Sequence, residues 1–283
     1  MKSHFNKLLV PVESQVRELD AKLLLACAAA EQGYEVILGS RAHIHFYASR
    51  VKNCIYIAKS MRRFSDRMFK IMHDLGHRVV AWDEEALVRL PDQEYYNHRL
   101  SPNTFKYMDH LFAWGENDAL TYKKYSGYQQ QPIHIVGNPR IDILRPELRN
   151  YFQPEVESIT AKYGSYILIN TNFGQVNHFI SSVGKGEAQR DKTQDNQNNK
   201  QFMSKRFQHK SALLDHFKEM ILSLASTFPK TNIIVRPHPS ENLKFWKNYT
   251  SDCSNIHTDN TGNVIPWIMA SEALVSNGCI TSL

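Results

Sequence analysis

The sequence predicts an α/β protein made of two doubly wound parallel-sheet domains. Short β-branched runs alternate with helical periodicity from Lys7 to Val136, and the alternation resumes at Tyr166 after a polar connection. The 283 residues suffice for two cores. Lys7–Glu13 reads as the first strand. Arg17–Gln32 reads as a helix with Leu19, Leu23, Ala26, Cys27 and Ala30 on one face, stopped by Gly33. Further strands are expected at Glu35–Gly39, Cys54–Ala58, Arg78–Trp82, Leu111–Trp114 and Ile133–Val136. Helices over Arg41–Arg50, Met61–Leu75 and Glu116–Tyr125 separate them, while tyrosine-rich Pro91–His110 reads as irregular. Pro146–Tyr163, charged and poor in large apolar residues, reads as a helical bridge between a domain at 1–145 and a second at 146–283.

In the second domain, strands are expected at Tyr166–Asn170, Asn232–Val235, near Ile256 and at Ala273–Val275. Helices are expected at Ser211–Thr227, Glu241–Tyr249 and Val264–Ala270. The stretch 184–200 has almost no apolar side chains and reads as a mobile loop. A strand-to-helix turn begins after Val275 without its helix, so the C-terminal domain is expected to be truncated.

Composition is that of a soluble globular protein, with net charge +6 spread along the chain and not gathered in one basic block. That pattern argues against a nucleic-acid partner and leaves room for peripheral contact with an anionic membrane face. Cys27, Cys54, Cys253 and Cys279 form no CxxC or zinc spacing, and read as buried free thiols of a reducing cytoplasm. The longest apolar run, Leu23–Ala30, is too short to span a bilayer, and no signal-peptide hydrophobic region follows the N-terminus. The histidines show no HExxH spacing, and there is no GxGxxG, GxxxxGK[ST] or GxSxG motif. No metal or dinucleotide cofactor is therefore expected.

The chemistry-bearing residues cluster at strand ends. In Asn232-Ile-Ile-Val-Arg-Pro-His-Pro-Ser-Glu-Asn242 the two prolines end a buried strand and hold Arg236 and His238 at its carboxyl end, with Ser240 placed to cap the next helix. A guanidinium and an imidazole at that edge suit a phosphate; a solvated arginine beside a packed histidine would leave the same pattern. Ser276, Asn277, Gly278, Thr281 and Ser282 follow another strand, where glycine and helix-terminal amides suit an anion, although an ordinary turn reads alike. Asn170, Thr171 and Asn172 make a third polar tip. Asp83, Glu84 and Glu85 close a strand of the first domain and are expected to face a cleft between domains, one of them acting as base or nucleophile; a solvated acidic loop is the alternative. Asp83 and Glu85 share one side of the strand's period, and Glu84 points differently. Gly137, Asn138, Arg140 and Asp142 form a tight turn, with a local Arg140–Asp142 pair expected as a hinge lock.

Taken together, Asp83-Glu84-Glu85, Phe112-Ala-Trp-Gly115, Gly137-Asn-Pro-Arg-Ile-Asp-Ile-Leu144, Tyr166-Ile-Leu-Ile-Asn-Thr-Asn-Phe173, Arg236-Pro-His-Pro-Ser-Glu-Asn242, Val264-Ile-Pro-Trp267 and Ser276-Asn-Gly-Cys-Ile-Thr-Ser282 resemble the bacterial surface-polysaccharide biosynthesis family, which has a GT-B glycosyltransferase-like fold. The His-Pro pair also resembles the nucleotide-phosphate motif of sialyltransferases and Kdo transferases, and the Pro139-Arg-Ile-Asp142 turn that of CDP-glycerol glycerophosphotransferases. The resemblance implies two facing Rossmann-like domains and metal-independent transfer from a nucleotide-sugar donor, a CMP-sugar favoured, to a glycan or lipid-linked acceptor. It implies donor contacts from Arg236, His238, Ser276, Asn277, Thr281 and Ser282, and a catalytic carboxylate from Asp83–Glu85. A nucleotide-sugar epimerase, a glycerophosphotransferase and a non-catalytic homologue on the same fold are the alternatives.

Overall fold

A computed structural model describes residues 5–87, 91–180 and 197–278. Thr281, Ser282, Cys279 and the part of the expected loop at 184–196 lie outside the described residues. The chain divides into two compact units, Met1–Arg149 and Asn150–Leu283.

The first unit holds strands β1 (Lys7–Val12), β2 (Glu35–Ser40), β3 (Cys54–Ala58), β4 (Arg78–Ala81), β5 (His110–Ala113) and β6 (Ile133–Ile135). They form one parallel sheet in the order β2-β1-β3-β4-β5-β6. Helices α1 (Gln15–Glu31), α2 (Arg41–Tyr47), α3 (Asp66–Asp74), α4 (Asp92–Arg99), α5 (Pro102–Phe105), α6 (Glu116–Lys124) and α7 (Pro139–Asp142) complete it. Strand alternation sends Leu9, Tyr56, Val79 and Leu111 to a core with Phe69, Met72 and Tyr122. Leu8, Val10, Ile57 and Val80 go to the opposite core with Leu25 and Ala29 of α1.

Two sequence expectations fail here for identifiable reasons. The buried face of α1 carries Glu18, Ala21, Lys22 and Ala26, whereas Leu23 and Cys27 are exposed. Hydrophobicity chose the wrong stripe because Glu18 and Lys22 are buried as partners of each other and of Lys59 and Glu84. Pro91–His110 is not irregular either: α4 and α5 bury Tyr95, Leu100 and Phe105, and Ser101 caps α5 through a bond from Asn103 N–H.

The buried pair makes a pH prediction. Burial disfavours the Glu18 carboxylate, yet the Lys22 and Lys59 ammoniums and the Glu13 amide outweigh it and bring its pKa down from 4.5 to about 2. A depressed carboxylate stabilises the fold above its unfolded value of 4.5, and that stabilisation disappears as pH falls toward 2. Glu84, raised by burial, has the opposite sign and is relieved by protonation. Glu18→Gln is therefore expected to cost about 2–3 kcal/mol at pH 7, with the gap to the parent closing between pH 5 and pH 2 in urea titrations. A gap independent of pH would contradict this.

The second unit holds α8 (Gln153–Tyr163), β7 (Tyr166–Thr171), α9 (Gln197–Thr227), β8 (Asn232–Pro237), α10 (Leu243–Tyr249), β9 (Ile256–Thr258), α11 (Val264–Met269) and β10 (Ala273–Ser276). Its four strands are parallel in the order β10-β7-β8-β9. Tyr166, Leu168 and Ile234 pack against α8 and Trp267, while Ile169, Val235 and Phe173 pack against α9 and Trp246. The expected bridge is thus partly core, since α8 contributes Ile159 and Tyr163. Helix α9 begins at Gln197, well before the expected Ser211 and inside the stretch read as loop. Among the described residues no helix is long and apolar enough to cross a membrane.

Candidate functional site

In a parallel sheet every strand delivers its last residue to the same edge. In the second unit, register puts Ser276 beside Asn170 and Asn170 beside Arg236, so three predicted ligand-binding residues occupy one row. One rung further, Thr171 faces Pro237. Pro237 is the last residue of β8, two beyond the expected Val235, and one more bond runs from the His238 N–H to the Thr171 carbonyl at 3.1 Å.

His238 is held by a short turn. Its Nδ1 accepts from the Ser240 N–H at 3.2 Å and lies 2.7 Å from the Ser240 hydroxyl. An Nδ1 that accepts a backbone N–H carries no proton, which assigns the proton to Nε2 and makes that atom the donor. Ser240 therefore orients the imidazole and does not cap the next helix; Asn242 caps α10 instead, accepting from Phe245 N–H. Gly174 packs directly on Ser240, where any Cβ would collide with the hydroxyl. Asn172, half-buried, lies in the same β7-to-Gly174 connection.

Sequence reasoning missed the residue that organises this edge. Glu241 is 2 % exposed and accepts from the Thr171 hydroxyl (2.8 Å), the Trp246 indole (2.9 Å) and the His238 N–H (3.1 Å). Burial raises its proton affinity while these bonds and the Phe173 amide oppose the rise. The sequence reading made Glu241 the first residue of the following helix, where an acidic side chain is ordinarily solvated, so no sequence signal marked it as buried.

Arg236 departs from expectation. It is 7 % exposed, sits over the Trp267 ring, and donates from Nη1 and Nη2 to the carbonyls of Thr261 (2.8 Å) and Gly262 (2.6 Å). Burial lowers its pKa to about 10. The expected phosphate fork is a clamp on the 259–262 loop, because strand alternation turns the side chain toward α11. Asn277 has both side-chain amide atoms buried without a hydrogen-bond partner among the described residues, and Gly278 takes φ +83.

In the first unit the three carboxylates are not equivalent. Asp83, 1 % exposed, accepts from Arg99 Nε (2.9 Å), Arg99 Nη2 and the Tyr95 hydroxyl (2.8 Å). Glu84 meets Lys22 at 3.3 Å on the far side. Glu85, 49 % exposed at its side chain, meets Arg99 Nη1 at 2.6 Å. Asp83 and Glu85 do share a side, as the period-2 reading expects. Gly137 at φ +71 accepts from the Trp82 indole, and Asn138 caps α7. The expected Arg140–Asp142 pair is absent: Arg140 reaches the Glu84 carbonyl at 3.0 Å, and Asp142 pairs with Arg145. Helix α7 separates the two side chains by pointing them along different faces.

No protein-family model matches this chain, and no curated protein matches it. Among solved structures, a wall teichoic acid polymerase TagF soaked with CDPG aligns at TM-score 0.51 and 10 % identity, covering 98 % of this chain and 66 % of that one. A UDP-GlcNAc 2-epimerase from Neisseria meningitidis bound to UDP-GlcNAc aligns at TM-score 0.49 and 11 % identity, covering 96 % and 78 %. The likeness is one of fold: a six-stranded and a four-stranded parallel sheet, the two Rossmann-like domains of the GT-B fold.

Proposed function

We propose that this chain is a GT-B-type transferase of surface-polymer synthesis that takes its transferred group from a nucleotide-activated donor. The observation that carries the proposal is the imidazole of His238, fixed by Ser240 so that Nε2–H is the donor, at the carboxyl edge of the second sheet. A fixed neutral donor at that edge, beside Asn170, Ser276 and Asn277, suits the phosphate of a leaving nucleotide. Thr281 and Ser282 belong to the same reading. Arg236 supports it indirectly, by holding the loop after β9. A CMP-sugar is the donor we favour. A CDP-linked glycerol donor is the second reading, favoured by the likeness to a polymerase soaked with CDPG. On the acceptor side Glu85 is the carboxylate we assign as base, since it is half-exposed whereas Asp83 and Glu84 are buried.

Thermal-shift measurements with CMP, CDP, UDP and GDP test the reading. One of them is expected to stabilise the chain by about 2.7 kcal/mol at a hundredfold excess over its dissociation constant, and His238→Ala to abolish that gain. Stabilisation by none of the four would overturn it. Nucleotide release that requires an added glycan acceptor would then separate a transferase from an epimerase.

A further inference from the structure

We propose that the first unit binds the phosphate of an anionic acceptor at the arginines around Glu85. Three guanidinium groups converge on that one half-exposed carboxylate: Arg99 at 2.6 Å, Arg62 at 3.3 Å and Arg17 at 3.9 Å. Arg99 is held in place by Asp83. Arg62 and Arg17 come from different segments, the turn after β3 and the first turn of α1, and their side chains are 36 % and 33 % exposed. Arg140 lies close enough for Arg17 and Glu85 both to act on it electrostatically.

Among the described residues linked by these bonds, the charges do not balance. Arg17, Lys22, Arg41, Lys59, Arg62, Arg99 and Arg140 stand against Glu13, Glu18, Asp83, Glu84 and Glu85, an excess of two cations. Arg62 adds an independent sign, since its Nε is buried with no hydrogen-bond partner among the described residues. A buried guanidinium nitrogen without an acceptor is costly, and a tetrahedral oxyanion supplies several acceptors at once.

Glu85 then acts as a placeholder. In the free protein its carboxylate satisfies the guanidinium groups; an incoming phosphate takes Arg17 and Arg62 and leaves Glu85 with Arg99 alone. The assignment of this phosphate to an acceptor rests on the transferase reading, whereas the binding does not. The chemistry is that of a phosphate monoester or diester, and both a lipid headgroup and a water-soluble phosphate carry it.

The four tryptophans allow the test, because each unit contains two. Trp114 donates its indole N–H to the Asp83 carbonyl at 2.7 Å and Trp82 to Gly137, so both report on the first unit. Trp246 donates to Glu241 and Trp267 to the Thr261 carbonyl, so both report on the second. Indole N–H signals of the full chain would be followed by NMR during titration with methyl phosphate and, separately, dihexanoyl phosphatidic acid, against sodium chloride at matched ionic strength. The expected result is a saturable shift at Trp114 that the Arg17→Gln/Arg62→Gln double variant loses. Glu85→Gln, which removes the competing carboxylate, is expected to tighten the midpoint about tenfold, a gain that misfolding does not produce. Saturation by both probes fits a lipid-borne phosphate, and by methyl phosphate alone a soluble one. No saturable shift at Trp114, an equal shift with chloride, or a shift that survives in the double variant would overturn the site. Failure of the nucleotide reading would appear separately, as nucleotides that leave Trp246 and Trp267 unmoved.

Discussion

Replacing Arg99 by methionine is expected to destabilise the first unit by about 3–5 kcal/mol, the usual cost of leaving a buried ion without its partner. Asp83 loses the Arg99 guanidinium that forks onto it and two hydrogen bonds with it, while keeping those from the Tyr95 hydroxyl and the Glu85 N–H. Burial already pushes this carboxyl up to about 7, against the Tyr95 and Glu85 hydrogen bonds. Without Arg99 it therefore takes up a proton readily, so the penalty is expected to be largest above neutral pH and smaller in acid. Lysine at position 99 supplies charge but no fork, and is expected to recover only part of the loss. Hydrogen exchange of the β4 and β5 amides measures the first unit alone, which matters in a chain of two units where a single unfolding midpoint mixes both. A loss below about 1 kcal/mol would mean that the pair behaves as a solvated one and that Asp83 is not held as described.

The succession of strands along the chain was largely legible because strands and glycine stops are local signals. Cys54–Ala58 matches the observed β3 residue for residue, and Gly33 and Gly76 take the positive φ expected at helix ends. What misled the sequence reading was burial of charge. Nothing in Glu18-x-x-x-Lys22 separates a buried pair from the commonest surface pair on a helix. Partners that decide the matter, Lys59 and Glu84, lie just beyond the ends of β3 and β4, so the answer is tertiary. The same holds for Arg99, which sits in a segment whose tyrosines and polar residues suggested irregular structure.

At the candidate donor site the residue types were legible but their roles were not. Register brings Asn170, Ser276 and Arg236 into one row, as strand-end reasoning requires. Strand alternation then assigns Arg236 to the α11 face, where carbonyls of Thr261 and Gly262 take its donors. Which of two adjacent side chains faces a ligand and which faces the core depends on where the ladder ends. The sequence reading stopped the strand at Val235 and left Arg236 at its tip, whereas β8 runs through Pro237 and gives Arg236 the same face as Ile234, beside Trp267.

His238→Ala is expected to lower turnover about 10²–10³-fold, the range seen when one preorganised donor is removed from a developing anion. The assay is nucleotide release from whichever activated donor carries the nucleotide that stabilises the chain. The loss should fall mainly on kcat if Nε2–H strengthens its bond as the leaving phosphate gains charge, and on KM if it serves ground-state binding alone. Glutamine at 238 places an amide N–H near the position of Nε2 and is expected to recover part of the activity, whereas asparagine places it near Nδ1 and is not. Glu241→Leu separates orientation from contact: it leaves the Thr171 hydroxyl, the Trp246 indole and the His238 amide without their shared acceptor, so the imidazole persists but its turn is released. That variant should lose turnover while the Asn170–Arg236 row of the sheet stays protected from exchange. Full activity in His238→Ala would show that the imidazole is a packed strand-end residue, and the anion at this edge would then have to be held by the backbone amides and the asparagines.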